Sequence, residues 1–319
     1  MKKKVFNAEH IEGKVYEHNL ALKKVENQKS ENFGTPFING TLDVVTDEAG
    51  LNVVQINFTY VTEFTKKGTR NDTFTALKTI IDSGKTVSLD GFANATMVKI
   101  DTALDLNDWY TNKDGEETLV STKKNEGGFV HIVTKLGEES IRNTFEVDML
   151  INGTRLVEAN PEKHIDKDYL IVKGAVFNFK NALLPVELIV KNEGGIRYFE
   201  SLEASSKNLV FTKVWGKIEC QTVVTRKETE SAFGEASVKE FTNTIKQWVI
   251  TGAAKETYPV GDEENGITAE EIEKAMQDRE VYLAEKKRKQ DEYQASKNSG
   301  SDLPFSAPKS ATTSQSFNF

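Results

Sequence analysis

Strict alternation of apolar and polar side chains, present twice and each time followed by a short helical pattern, constrains this chain more than any other feature. Val54, Ile56, Phe58 and Tyr60 alternate with Gln55, Asn57 and Thr59, the period of a strand with one buried face. Ile38 to Val44 alternates likewise, and Asp47-Glu48-Ala49-Gly50 between the two runs supplies turn chemistry, so they should pair as a hairpin. Asp72 is then placed to cap a helix carrying Phe74, Leu77, Ile80 and Ile81, which stops at Ser83-Gly84.

The same order returns in the second half. Tyr169 to Phe179 leads through a turn at Asn181-Ala182 into Leu183 to Val190, where Leu184, Val186, Leu188 and Val190 alternate. Glu193-Gly194-Gly195 and a helix over Ile196 to Ala204 follow. Gly40 and Gly174 lie 134 residues apart, Leu77 and Leu202 lie 125 apart, so the duplication is one of element order rather than residue identity. Further strands are predicted near 13–25, 96–106 and 129–136, and near 145–157, 209–225 and 238–251.

Five strands with one helix after the third is the element order of the oligonucleotide-binding (OB) barrel, with a β-sandwich as the competing architecture. The expectation is a mainly β chain of two tandem OB-fold-like five-stranded barrels, followed by a helix and a disordered C-terminal tail. The modules are drawn at 1–142 and 143–258, each with its own core, the linker and charged helix at 259–296, and the tail at 297–319. Thr268-Ala269-Glu270-Glu271 reads as a capping box that opens the helix. The tail is rich in Ser, Thr, Pro and Asn and has little to bury.

Charge alone argues weakly against a polyanionic ligand. The formal net charge is −8, but thirteen acidic and eight basic residues lie from Glu256 on, which leaves 33 basic against 36 acidic in the body. A near-neutral body can carry a basic groove. Cys220 is the single cysteine, so no internal disulfide forms, and a reducing compartment is expected. Met1-Lys2-Lys3-Lys4 is followed by no apolar stretch of signal-peptide type, and no segment is long enough to span a bilayer. An intracellular location follows as an expectation.

Signs of catalysis and of cofactors are missing from the sequence. His10, His18, His131 and His164 are scattered, and Gly127-Gly128 and Gly194-Gly195 lack the Lys-Ser/Thr of a phosphate loop. No metal or cofactor is expected, and the chain reads as a binding protein rather than an enzyme.

The most informative strand is Leu209 to Cys220. If Val210, Val214, Ile218 and Cys220 make a core face, then Phe211, Lys213, Trp215 and Lys217 share the other. Aromatic rings interleaved with lysines suit single-stranded nucleic acid, whose bases stack while cations track the phosphates. Lys246 with Trp248, and Phe177 with Phe179, repeat the pattern, while Trp109-Tyr110 and the basic turn Lys66-Lys67-Gly68-Thr69-Arg70 are lesser candidates. The competing reading has these aromatics packing against a helix or the neighbouring module.

Ser301-Asp302-Leu303-Pro304-Phe305 resembles the acidic-Pro-Phe tip with which bacterial single-stranded DNA-binding proteins recruit partners, although this chain continues to Ser316-Phe317-Asn318-Phe319. Through Thr35 to Leu42 and Val54 to Thr62 the body is similar to single-stranded DNA-binding proteins of tailed phages of Gram-positive bacteria. The resemblance implies a non-enzymatic protein that coats single-stranded DNA without sequence preference in phage replication, recombination or repair. It also implies replication or repair partners, recruited through Asp302, Leu303, Pro304, Phe305, Phe317 and Phe319. A homo-oligomer is compatible with this reading. A β-rich structural or interaction protein, such as a virion component, is the other reading.

Overall fold

The computed structural model describes residues 5–113, 116–160, 165–229, 233, 237–262, 264 and 266–299. The first half contains β1 (Asn7–His18), β2 (Ala21–Lys24), β3 (Pro36–Val45), β4 (Val53–Thr62), α1 (Asp72–Ser83), α2 (Val87–Asp90), β5 (Met97–Lys113) and β6 (Glu116–Val133). The second contains β7 (Asn143–Val157), β8 (Tyr169–Phe177), β9 (Leu183–Val190), α3 (Glu193–Ser201), β10 (Val210–Thr229) and β11 (Ser237–Ala253), and α4 (Ala269–Ser299) follows.

Strand pairing closes the first half into a ring. β1 pairs with β3 and with β5, β3 pairs with β4, and β4 runs parallel to β6 at Ile56 and Asn125, with β6 beside β5. The second half closes identically: β7 pairs with β8 and β10, β8 with β9, β10 with β11, and β9 runs parallel to β11 at Ile189 and Val249. Five strands, four antiparallel contacts, one parallel closure and a helix after the third strand define the OB barrel. The mainly β, tandem-barrel expectation holds.

Finer details repeat as well. The first strand of each ring is bulged, between Val15 and Glu17 and between Ile151 and Gly153. Both helices open on an asparagine cap: Asn71 Oδ1 accepts from the Thr73 N–H at 3.1 Å, and Asn192 Oδ1 from the Gly195 N–H at 2.6 Å. The cap of α1 is therefore Asn71 rather than Asp72, because Asn71 holds the extended backbone of a capping residue. Asp72 takes the first turn, where its charge complements the helix dipole.

The division of chain into compact parts differs from one core per module. Antiparallel pairing of β1 with β7, from Asn7–Val147 to Ile11–Asn143, joins the two rings. Buried side chains of both rings, among them Ile11, Val44, Ile56, Leu77, Val147, Leu188, Ile218 and Ile250, form a single cluster. A smaller cluster of Leu150, Phe177, Phe211, Ile267, Ile272 and Ala275 lies outside it. Among the described residues, one compact unit comprises those from 5 to 107 and from 121 to 279; those from 108 to 120, at the tip of the β5–β6 hairpin, and from 280 to 299 form the other.

Strand β6 starts at Glu116, well before the predicted 129. Residues 107–122 are largely exposed on both faces where described, so no apolar alternation marks them. The capping box of α4 forms as read: Thr268 Oγ1 accepts from the Glu271 N–H, and Glu271 Oε2 from the Thr268 N–H, both at 3.1 Å. Among the described residues no helix is long and apolar enough to cross a membrane.

Candidate nucleic-acid interface

The outer face of β10 carries the predicted residues but is largely engaged. Val214, Ile218 and Cys220 point into the main core, so Phe211, Lys213, Trp215 and Lys217 do share the opposite side. Phe211 is nevertheless fully buried, with its ring 5.4 Å from that of Tyr258 and 6.3 Å from that of Phe177. The chain beyond β11 returns over this surface, and Ile267, Ile272 and Ala275 pack on it. Phe177 and Phe211 are thus core residues, and the stacking role proposed for them is corrected. Lys213 binds Glu146 Oε1 at 2.5 Å and lies 4.8 Å from the Phe6 ring centre. That hydrogen bond raises its pKa, because it favours the ammonium. Lys217 donates to the Ser140 carbonyl and to Asn143 Oδ1. Trp215 alone remains open, 41 % exposed, its indole lying against Gly252.

Trp248 is likewise a core residue, 1 % exposed, and cannot present a face to a base. Its Nε1–H donates to Glu9 Oε1 at 2.7 Å. Phe179 is exposed, in the turn after β8 rather than on a face shared with Phe177, and Lys180 Nζ lies 5.5 Å from its ring centre. In the second compact unit Trp109 is partly exposed, and the backbone of Tyr110 is held by Gln290, whose side chain accepts from the Tyr110 N–H at 3.1 Å and donates to its carbonyl at 2.7 Å. Asp302, Leu303, Pro304, Phe305, Phe317 and Phe319 lie outside the described residues.

Lys246 is the predicted residue that sits in a groove. Three adjoining clefts of about 670, 570 and 390 Å³ share it in their walls. The β10–β11 hairpin reaches the first barrel here: Lys246 Nζ donates to Gln55 Oε1 at 3.4 Å, and Asn52 bonds both the Ile218 carbonyl at 3.1 Å and the Cys220 N–H at 2.6 Å. Reciprocally, the β5–β6 hairpin reaches the second barrel, where Lys123 Nζ donates to the Glu187 carbonyl at 2.5 Å. Each barrel's fourth-to-fifth-strand hairpin therefore meets the third strand of the other barrel, at Gln55 on β4 and at Glu187 on β9. Those strands and that hairpin are the parts with which OB barrels take oligonucleotides.

Thr41, Gln55, Asn57, Thr122, Lys123 and Lys124 line the groove with Lys246. Lys124 is neutralised by Glu126 at 2.6 Å, and Lys173 faces Glu187 at 3.6 Å. Burial, which leaves the ammonium poorly solvated, pushes the Lys123 pKa down to about 8, against the pull of Glu187. Its Nζ also lies 5.2 Å from the centre of the Trp248 ring. Lys123, Lys124 and the neutral hydrogen-bonding side chains were missed in the sequence because none of them forms an aromatic-lysine alternation. Among the described residues no group of three His, Cys, Asp or Glu side chains is placed to hold a metal.

The family model called YorF matches residues 7–289. The chain belongs to the YorF family. No match is found among curated proteins. Among solved structures this YorF member is similar to a deletion mutant of the single-stranded DNA binding protein from Thermus aquaticus, at 12 % identity and a TM-score of 0.44, covering 79 % of this chain and 95 % of that one. At that level of likeness nothing about function transfers.

Proposed function

We propose that this YorF protein binds single-stranded DNA without sequence preference in the groove between its two long hairpins. The observation that carries the reading is the reciprocal contact of the two hairpins with the opposite barrels, which sets Lys123 and Lys246 among Thr41, Gln55, Asn57 and Thr122. Ammonium groups meet phosphates, and the neutral amides and hydroxyls bond phosphate and sugar oxygens, contacts that carry no sequence information. The roles in replication, recombination or repair, the phage setting and the recruitment of partners by Asp302, Leu303, Pro304, Phe305, Phe317 and Phe319 belong to the same proposal.

A fluorescence-polarisation titration with labelled oligo-dT at low salt tests it. Saturable binding is expected, and Lys123→Gln with Lys246→Gln should weaken it and flatten its salt dependence, since each phosphate contact on a single strand contributes a slope of roughly 0.7. Absence of saturable binding would leave a structural or interaction role in its place.

A further inference from the structure

A single β-bulge in the first barrel carries the next step. By alternation Tyr60 belongs with Val54, Ile56 and Phe58, all buried. The ladder between β3 and β4 shifts between Ile38, which pairs with Val61, and Gly40, which pairs with Phe58. Thr59 and Tyr60 together therefore oppose Asn39 alone, and Gly40 accommodates the distortion at φ +128°. Tyr60 is turned out of the core to 46 % exposure, and its ring centre lies 4.8 Å from that of Phe37. The matching pair in the second barrel, β8 with β9, runs without a shift, so the barrel itself does not require the bulge. Exposing a tyrosine costs apolar burial, and bulges recur where a side chain must be re-aimed for function.

Basic residues adjoin the pair in the strand ladder and follow it in the chain. Lys23 and Lys24 on β2 pair with Phe37 and Pro36. Directly after β4, residues 63–70 carry Lys66, Lys67 and Arg70 against Glu63 alone, and the three cations are exposed. Thr59, on the same bulge, lines the groove.

We infer that Phe37 and Tyr60 form a base-stacking ledge on which a single-stranded polynucleotide continues out of the groove, its phosphates drawn by Lys23, Lys66, Lys67 and Arg70. The inference rests on the groove reading and extends it to a second surface. The two rings are tilted by 40°, so it is the exposed Tyr60 face, backed by Phe37 and flanked by cations, that suits a nucleobase chain, because every base has a π-face.

The test compares the whole protein, Phe37→Leu/Tyr60→Leu, Tyr60→Phe and Lys123→Gln/Lys246→Gln in oligo-dT titrations across a range of salt. The double leucine variant should lose about fivefold to a hundredfold in affinity per stacked base with its salt slope unchanged. Tyr60→Phe, which keeps the ring, should match the wild type, and circular dichroism should show both variants folded. If the wild type binds and the lysine variant weakens while the leucine variant does not, the ledge is overturned and the groove stands. If the wild type fails to bind, both fall.

Discussion

Glu9 and Trp248 meet inside the joined core: the indole Nε1–H of Trp248, on β11 of the second barrel, donates to Glu9 Oε1, on β1 of the first, at 2.7 Å. Glu9 is 2 % exposed, and burial raises its carboxyl pKa from 4.5 to about 8, despite the opposing pull of the indole hydrogen bond. A proton on Glu9 thus spares the seam a buried charge.

Stability should therefore decline as pH rises from about 4.5 to about 8. Over that window the unfolded chain has an ionised Glu9 while the folded chain keeps the proton, so folding takes up a proton and each pH unit costs at most about 1.4 kcal/mol. Glu9→Gln retains an acceptor for Trp248 and should remove this decline. Urea midpoints measured at about pH 5 and about pH 8.5 check it.

Trp248→Ala should destabilise the fold by roughly 3–5 kcal/mol, since it empties a fully enclosed site. Trp248→Phe should cost less, roughly 1–3 kcal/mol, mainly by removing the donor to Glu9. Thermal unfolding of both variants separates the packing loss from the hydrogen-bond loss.

Affinity for oligo-dT should fall as pH rises through about 8, where Lys123 gives up its charge. Lys123→Arg keeps the cation and should flatten the dependence. Polarisation titrations at about pH 7 and about pH 9, at fixed salt, read the difference directly.

Gly252→Ala should displace the Trp215 indole, because a Cβ there would collide with its ring. The expected outcome is an altered Trp215 emission maximum in tryptophan fluorescence. An unchanged emission would show that the indole does not rest on Gly252 in solution.

Gln290→Ala should speed amide exchange around Tyr110, since one side chain closes two hydrogen bonds to that residue's backbone. Hydrogen-exchange mass spectrometry over 108–120 reads the change.

Strand periodicity was legible wherever one face is buried and the other wet. Leu184 to Val190 and Val54 to Phe58 alternate in the structure as they do in the sequence. The hairpin arm around 107–122 was not legible, because both of its faces meet solvent and no period survives. The site was harder still. Lys246 was found through its neighbour Trp248, yet the neighbour proved to be core and the lysine part of a groove.

By itself the sequence determined two rounds of strand, strand, strand, helix, strand, strand, together with which face of β10 turns outward, because side-chain period and cap chemistry are local properties. Tertiary structure alone decided which outward faces stay open. The chain beyond Tyr258 covers Phe211, pairing of β1 with β7 sets Trp248 against Glu9, and a one-residue bulge brings Tyr60 to the surface. Each of these depends on contacts between residues distant in sequence or on a shift of register, and a period-two pattern carries no record of either.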